Sequence, residues 1–471
     1  MNIVKKIGPS NTNDPHILGT GDIKKLLAQY SFPAILGMVI TSLYNIVDSI
    51  FIGHGIGALA LSGLAVTFPI MNIMAAVSTL IGVGGATLTS IRLGQKDEEG
   101  ARSILGHVTI LNSLNSIAIS AIAYIFLDPI LRIFGANDVL LPYAHDFMSV
   151  YLIGTPIVFV FIALNNIMRV TGYPQKAMLS SFITVIVNVI LAPIFIFVFH
   201  WGIKGTALAT VLSQLVGLIW VLSHFLNKKS YIHYTKEFHH LRMDTISAML
   251  AIGLSPFLIN LTSSLIISII NIELIKYGGE LAVGAYGIIN RANTVFLMIV
   301  IGITMGMQPL VGYNFGAKKL DRAFDAFKYA VIGAAGVTTF GFLISQFLPS
   351  HIIHLFTTDE ELLRISTRGL RIMTLMFPLV GAQIVITNFF QSIGKAKISA
   401  FLSLTRQLIF LLPFLFILPP LYGVDGVFGS LPAADFVAFV VTLFTFINQI
   451  RKLEKNNGIR ILKRKNQLAE E

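Results

Sequence analysis

Five ionisable side chains lie inside or at the ends of long apolar stretches of this sequence, where an unpaired charge costs several kcal/mol. Asp48 falls late in the first stretch. Desolvation disfavours the ionised carboxylate, so protonation at ordinary pH becomes accessible. Such an acid can bind a proton or sodium ion on one side of a membrane and release it on the other. Alternatively, it hydrogen-bonds a neighbouring helix and only fixes packing. Perturbed acids cluster at functional sites, so the coupling role stands beside the packing role. Arg406 lies in the eleventh stretch and Asp435 in the twelfth. Adjacent antiparallel helices would let the long arginine stem reach that acid, and a structural buried ion pair is preferred there. Arg291 and Glu273, on stretches eight and seven, pose the same question, although Glu273 lies near a stretch end and could reach water. Glu273, Arg291 and Asp435 are also candidates for contacting a charged substrate in a second-half cavity.

These residues need helices to hold them. Only 12% of the 471 residues are charged, against about 25% in soluble domains, while 55% are hydrophobic and mean hydropathy is +0.78. Twelve apolar runs, from 31–52 to 426–449, are each long enough to cross a hydrocarbon core about 30 Å thick. None alternates as a barrel strand would. No small-residue cleavage site follows the first run, so no cleaved signal peptide is expected. The absence of cysteine excludes disulfide and thiol chemistry.

The net charge of +11 suggests nucleic acid until the basic residues are placed. With the N-terminus on the cytoplasmic side, 26 of 34 Lys and Arg fall on the N-terminal arm, five inner loops and C-terminal tail. That bias puts both termini inside, in a plasma (inner) membrane. The basic tail is then expected against anionic headgroups, with no nucleic-acid partner.

Residues 59–181 reappear faintly at a constant step of 222 positions. Leu59-Ala60 returns as Leu281-Ala282, Gly84 as Gly306, Gly94 as Gly316, Lys96 as Lys318, Pro156 as Pro378 and Gly172 as Gly394. An even number of spans per copy makes the repeats parallel, related by an axis along the membrane normal. The expected fold is all-α and integral to the membrane: twelve transmembrane helices in two six-helix bundles with pseudo-two-fold symmetry. The expected divisions are an arm (1–30), an N-lobe (31–226), a linker (227–245), a C-lobe (246–449) and a basic tail (450–471). Gly82, Gly84 and Gly85 read as sites of close helix packing. Prolines within the spans, such as Pro33, Pro156, Pro193 and Pro378, permit bends.

The segment Tyr44-Asn-Ile-Val-Asp48-Ser-Ile-Phe-Ile-Gly53-His54 resembles the first helix of the multidrug and toxic compound extrusion (MATE) family. The likeness continues at Gly84-Gly85-Ala86, Arg169-Val-Thr-Gly172-Tyr-Pro174, Gly205-Thr-Ala-Leu-Ala-Thr210, Pro309-Leu-Val-Gly312-Tyr-Asn314-Phe-Gly316 and Leu431-Pro432-Ala-Ala-Asp435. It covers nearly the whole chain and is nearest the bacterial DinF/MepA-like branches. The resemblance implies cation-coupled efflux through a V-shaped pair of six-helix lobes, with Asp48 as coupling acid. It also implies an asparagine and an aspartate four apart on the fifth helix and a threonine on the sixth. Asn188 and Thr210 match, but the expected aspartate is Ala192. With one carboxylate missing, a sodium ion at Asp48, Asn188 and Thr210 would have fewer hard oxygen ligands, which favours H+ over Na+.

Methionines and aromatics, among them Met38, Met305, Phe68, Tyr44 and Tyr286, could line a pliable cavity for amphipathic drugs or metabolites. Tyr44 and Tyr286 are the chosen candidates. No phosphate loop, zinc motif or nucleophile elbow appears, so neither an enzyme nor a cofactor is expected. The expectation is a monomeric secondary multidrug antiporter. The alternatives are a flippase for lipid-linked oligosaccharide, disfavoured by the scarcity of intramembrane arginine, and a non-transporting scaffold with no need for Asp48.

Overall fold

The computed structural model describes residues 15–235, 241–357 and 359–457; side chains at 43–46, 49, 54 and 58 lie outside that description. Helices dominate throughout. The first half comprises α1 (Ile23–Gly55), α2 (Ala58–Gly94), α3 (Glu98–Ile125), a short α4 (Leu127–Ile133), α5 (Leu141–Val170), α6 (Pro174–Pro193) and α7 (Gly202–Leu226). The second comprises α8 (Met243–Gly316), α9 (Leu320–Phe347), short α10 (Pro349–His354), α11 (Glu360–Met373), α12 (Phe377–Ser392), α13 (Ala396–Leu404), α14 (Leu412–Ile417), α15 (Pro419–Tyr422) and α16 (Val424–Asn457).

Helix starts follow from local chemistry. The Asp22 carboxylate accepts from the Lys25 amide at 2.9 Å, Asp97 from Gly100 at 2.8 Å and Asp359 from Leu362 at 2.8 Å. Each satisfies a backbone donor that the first helical turn leaves free. The Asp22 cap starts α1 at Ile23, before the apolar run begins at 31. At the other end α16 runs on to Asn457, past the predicted span end at 449.

Ten helices are long and apolar enough to cross a membrane, and α11 with α12, bent by 53°, forms an eleventh span. The 74-residue α8 is too long for one crossing: at about 1.5 Å per residue it would run roughly 110 Å. Its backbone leaves the helical region at Gly279, where φ is +67°. The residue 222 positions earlier is Gly57, at φ +118°, which separates α1 from α2. Both positions need a conformation that only glycine adopts cheaply. Gly279 therefore divides α8 into two segments each long enough to span, which makes twelve candidate spans among the described residues, six per repeat. Lys96 and Lys318, both at positive φ, mark a second equivalent turn.

Packing defines the shape. One apolar core draws on both halves, from Leu18, Tyr30 and Leu93 to Met307, Val311 and Phe390. The other cores each belong to one half: Ile52, Leu131 and Phe159 in the first, Ile270, Leu370 and Phe428 in the second. The lobes thus share an interior at the end carrying the termini and hold separate interiors at the far end, which is a V. At the shared end, glycines permit backbone-to-backbone contact. A Cβ on Gly94 would strike the Tyr313 carbonyl, and one on Gly316 the Ile91 carbonyl. Those partners are themselves 222 positions apart, so the contact is reciprocal about a pseudo-two-fold axis. Small residues at such crossings are what membrane helices use in place of a hydrophobic driving force. Ser90 Oγ donates to the Pro309 carbonyl at 2.9 Å, and Gln308 Nε2 to Thr87 Oγ1 at 2.6 Å, fastening the same seam.

Candidate functional site

In the far half of α1, Asp48 is buried, and its Oδ1 has no hydrogen-bond partner among the described residues. It is not a lipid-facing acid. A buried carboxylate oxygen left without a donor is costly in a neutral setting, and a bound proton or cation removes that cost. α1 packs along α6 and also touches α7. On those two helices Asn188 Nδ2 donates to Thr210 Oγ1 at 3.3 Å, and Thr210 Oγ1 to the Thr206 carbonyl at 3.1 Å. Both side chains are buried.

Ala192 is fully buried in a small apolar cluster with Phe195 and Ala209, against Phe51 of α1. Where the family resemblance leads one to expect an acid, the three helices are sealed by hydrocarbon. Directly after Pro193 the helix widens into a π turn (Ile194–Val198), in which the Phe199 amide reaches back five residues to Ile194 at 3.0 Å. Proline removes one helix bond, and the wider turn re-pairs the freed groups.

Toward the shared end, a cavity of about 240 Å³ opens between α1, α5, α6 and α7, lined by Thr41, Asn165, Asn166, Arg169, Thr184 and Gln214, with Met305 from the other lobe. Thr41 precedes Asp48 by two helical turns, or about 10 Å. Arg169 is the charge at this floor. Its guanidinium donates to the side-chain oxygens of Asn166 at 3.2 Å and Asn165 at 3.1 Å, and it has no acid partner among the described residues. Sequence reasoning missed it, because proximity to a span end placed Arg169 with the loop residues. The available signal was the spacing of 165, 166 and 169, which shares one helical face.

In the C-lobe, Arg406 Nε meets Asp435 Oδ1 at 2.5 Å and Nη2 meets Oδ2 at 3.4 Å. Arg406 stands in a second π turn (Thr405–Leu411). Next to it, Gln407 accepts from Thr262 and donates to Ser263 at 3.0 Å. Other candidates behave differently. Tyr286 is buried in the C-lobe core with Ile270, Ile289 and Phe428, so it packs the interior instead of lining an open wall. Glu273 is buried and does not reach water, whereas Arg291 is exposed; neither forms an ion pair among the described residues. The Gly279 turn explains why. Glu273 lies six residues before it and Arg291 twelve after, so their depths differ by about 9 Å. The Tyr44 side chain lies outside the described residues.

Among the described residues no three His, Asp or Glu side chains converge as a metal site. What the N-lobe offers is one buried acid on α1, an amide–hydroxyl pair on the two helices packed against it, and a polar cavity toward the shared end.

Comparison with known proteins agrees with this architecture. The MatE family model matches residues 33–194 and again 256–417, a separation of 223 residues. The chain therefore belongs to the MatE family and is a multi-pass membrane transporter, not an enzyme. Its relatives include the multidrug export protein MepA of Staphylococcus haemolyticus, 26% identical over 90% of this chain and 93% of that protein. The MepA of Staphylococcus aureus strain MSSA476 is 28% identical over 87% of this chain and 90% of that protein. Among solved structures, the MATE multidrug transporter DinF-BH superimposes with a TM-score of 0.84 at 33% identity, covering 91% of this chain and 96% of that one. An outward-facing MATE family transporter of the MOP superfamily gives 0.88 at 25% identity, covering 93% and 98%.

Proposed function

We propose that this protein is a secondary antiporter that exports amphipathic, cationic compounds in exchange for protons, with both termini in the cytoplasm. The observation that carries the reading is the buried, partly unpartnered Asp48 carboxylate on a helix packed against those that hold Asn188 and Thr210, in a lobe whose far end is separate from its partner. A proton needs only this one carboxylate. A sodium ion needs several hard oxygens, and Ala192 withholds one of them. In the proposed cycle, Asp48 takes a proton from the far, external side while the V is open there. The lobes then rock, the proton leaves to the cytoplasm, and the ionised acid favours a cationic compound. Return to the external side and reprotonation release the cargo. The relatives named as multidrug export proteins support the substrate class.

The test is efflux of a fluorescent cation such as ethidium from vesicles with proton and sodium gradients imposed separately. Export driven by the proton gradient alone, and lost in Asp48→Asn, is the expected result. Export that follows sodium alone replaces the ion, and export unchanged in the variant removes Asp48 from the mechanism.

A further inference from the structure

The end of the molecule opposite the termini carries few basic residues, yet Arg364, Arg368 and Arg371 stand together there on α11. Their spacing places them on one helical face. The opposite face, with Ser366, Leu370 and Met373, is buried. All three arginines are exposed and line a groove of about 680 Å³ with Ser350, Leu363 and Thr367. Arg368 pairs with Asp425, whereas Arg364 and Arg371 form no ion pair among the described residues. The Thr367 hydroxyl is buried with no hydrogen-bond partner in the described structure. Glu360 and Glu361 lie at the start of the same helix, in its first turn.

Two further observations point to the ligand. Phe347, Leu348, Leu355 and Leu375, at the neighbouring helix ends, are exposed by 76, 49, 82 and 48%, a surface suited to acyl chains. The fold itself does not call for this charge. The positions 222 residues earlier hold Pro142, Asp146 and Ser149, and Asp146 there binds Lys204 at 3.1 Å. The arginine face belongs to one copy of the repeat alone.

We infer that this groove binds the phosphate of an anionic phospholipid. Arg364 and Arg371 hold its oxygens, and the acyl chains lie over the exposed apolar rim. Basic residues at a membrane surface attract anionic headgroups, and an amphipathic helix presents them at that depth. Because α11 meets α12 at the 53° bend, the bound lipid braces the far end of the C-lobe. Assigning it to the outer leaflet rests on the orientation proposed above; the site itself does not.

The experiment uses the full-length protein in detergent. Short-chain phosphatidylglycerol is titrated against short-chain phosphatidylcholine and against inorganic phosphate, with melting temperature as readout. The expected result is a saturable rise with phosphatidylglycerol only, its midpoint about thirtyfold weaker in R364Q/R371Q, from roughly fivefold per basic residue. R364K/R371K should regain most of that loss. An unliganded melting temperature equal to the parent's shows that R364Q/R371Q is folded. An equal response to phosphatidylcholine, or an unchanged midpoint in R364Q/R371Q, overturns the proposal. An equal rise with inorganic phosphate overturns the lipid assignment in favour of a free-anion site.

Discussion

Asp48 and the Arg406–Asp435 pair show how differently two buried carboxylates can be used. Asp48 has an oxygen without a donor, whereas Asp435 has a guanidinium on both oxygens. If the proton on Asp48 and a cationic compound compete, the compound binds more tightly as pH rises and the acid ionises. Asp48→Asn should flatten that dependence while leaving the fold intact, which binding titrations at several pH values would read directly. At the other site, Arg406→Met strands Asp435. Breaking a buried pair in this way costs about 3–5 kcal/mol, and the lower end is expected because the arginine is 31% exposed. Adding Asp435→Leu should restore most of the loss in thermal melts. If the single and double variants melt alike and below the parent, the stranded acid is not the source of the loss.

The helices meet through glycine at the shared end, and there the lesson is steric. Gly94 and Gly316 lie against carbonyls of the opposite lobe, leaving no room for a side chain. Gly94→Leu should cost about 1–3 kcal/mol of overpacking in this arrangement only. The penalty disappears when the lobes part at that end, so the population shifts toward the alternative state, by about thirtyfold for 2 kcal/mol. The parent chain has no cysteine, so Ser90→Cys can report on the seam. Its labelling should accelerate in the Gly94→Leu background. The α11–α12 bend and the π turns after Pro193 and at Thr405–Leu411 are departures of another kind, in which helices widen or break to place a side chain.

Across the whole molecule, transport by rocking requires the shared end to open. Cβ atoms placed at Ser90 and Gly312 would lie 3.0 Å apart, slightly closer than the roughly 3.5–4.5 Å usual for a disulfide. A Ser90→Cys/Gly312→Cys protein should therefore cross-link on oxidation, lose export and regain it on reduction. Continued export by the oxidised form would mean that transport does not require this seam to part. The spans, the duplication and the acid on the first helix were all readable from sequence, because apolar length, register and a charge in hydrocarbon are properties of the chain alone. Direction and depth across helices were not. The sequence left open whether Glu273 and Arg291 pair on neighbouring spans, and residue counts from the Gly279 turn put them at different depths. It put Tyr286 on a cavity wall, whereas packing turned that ring into the C-lobe core. It counted Arg169 with the loops, and only the convergence of α1, α5, α6 and α7 made it the floor of a cavity. Sequence alone was enough to show a chain that crosses many times and is built as two copies, since each span must satisfy its backbone within its own length. Which faces those spans turn to one another was decided only in the folded bundle, because contacts between helices far apart in sequence depend on rotation and depth that no local pattern carries.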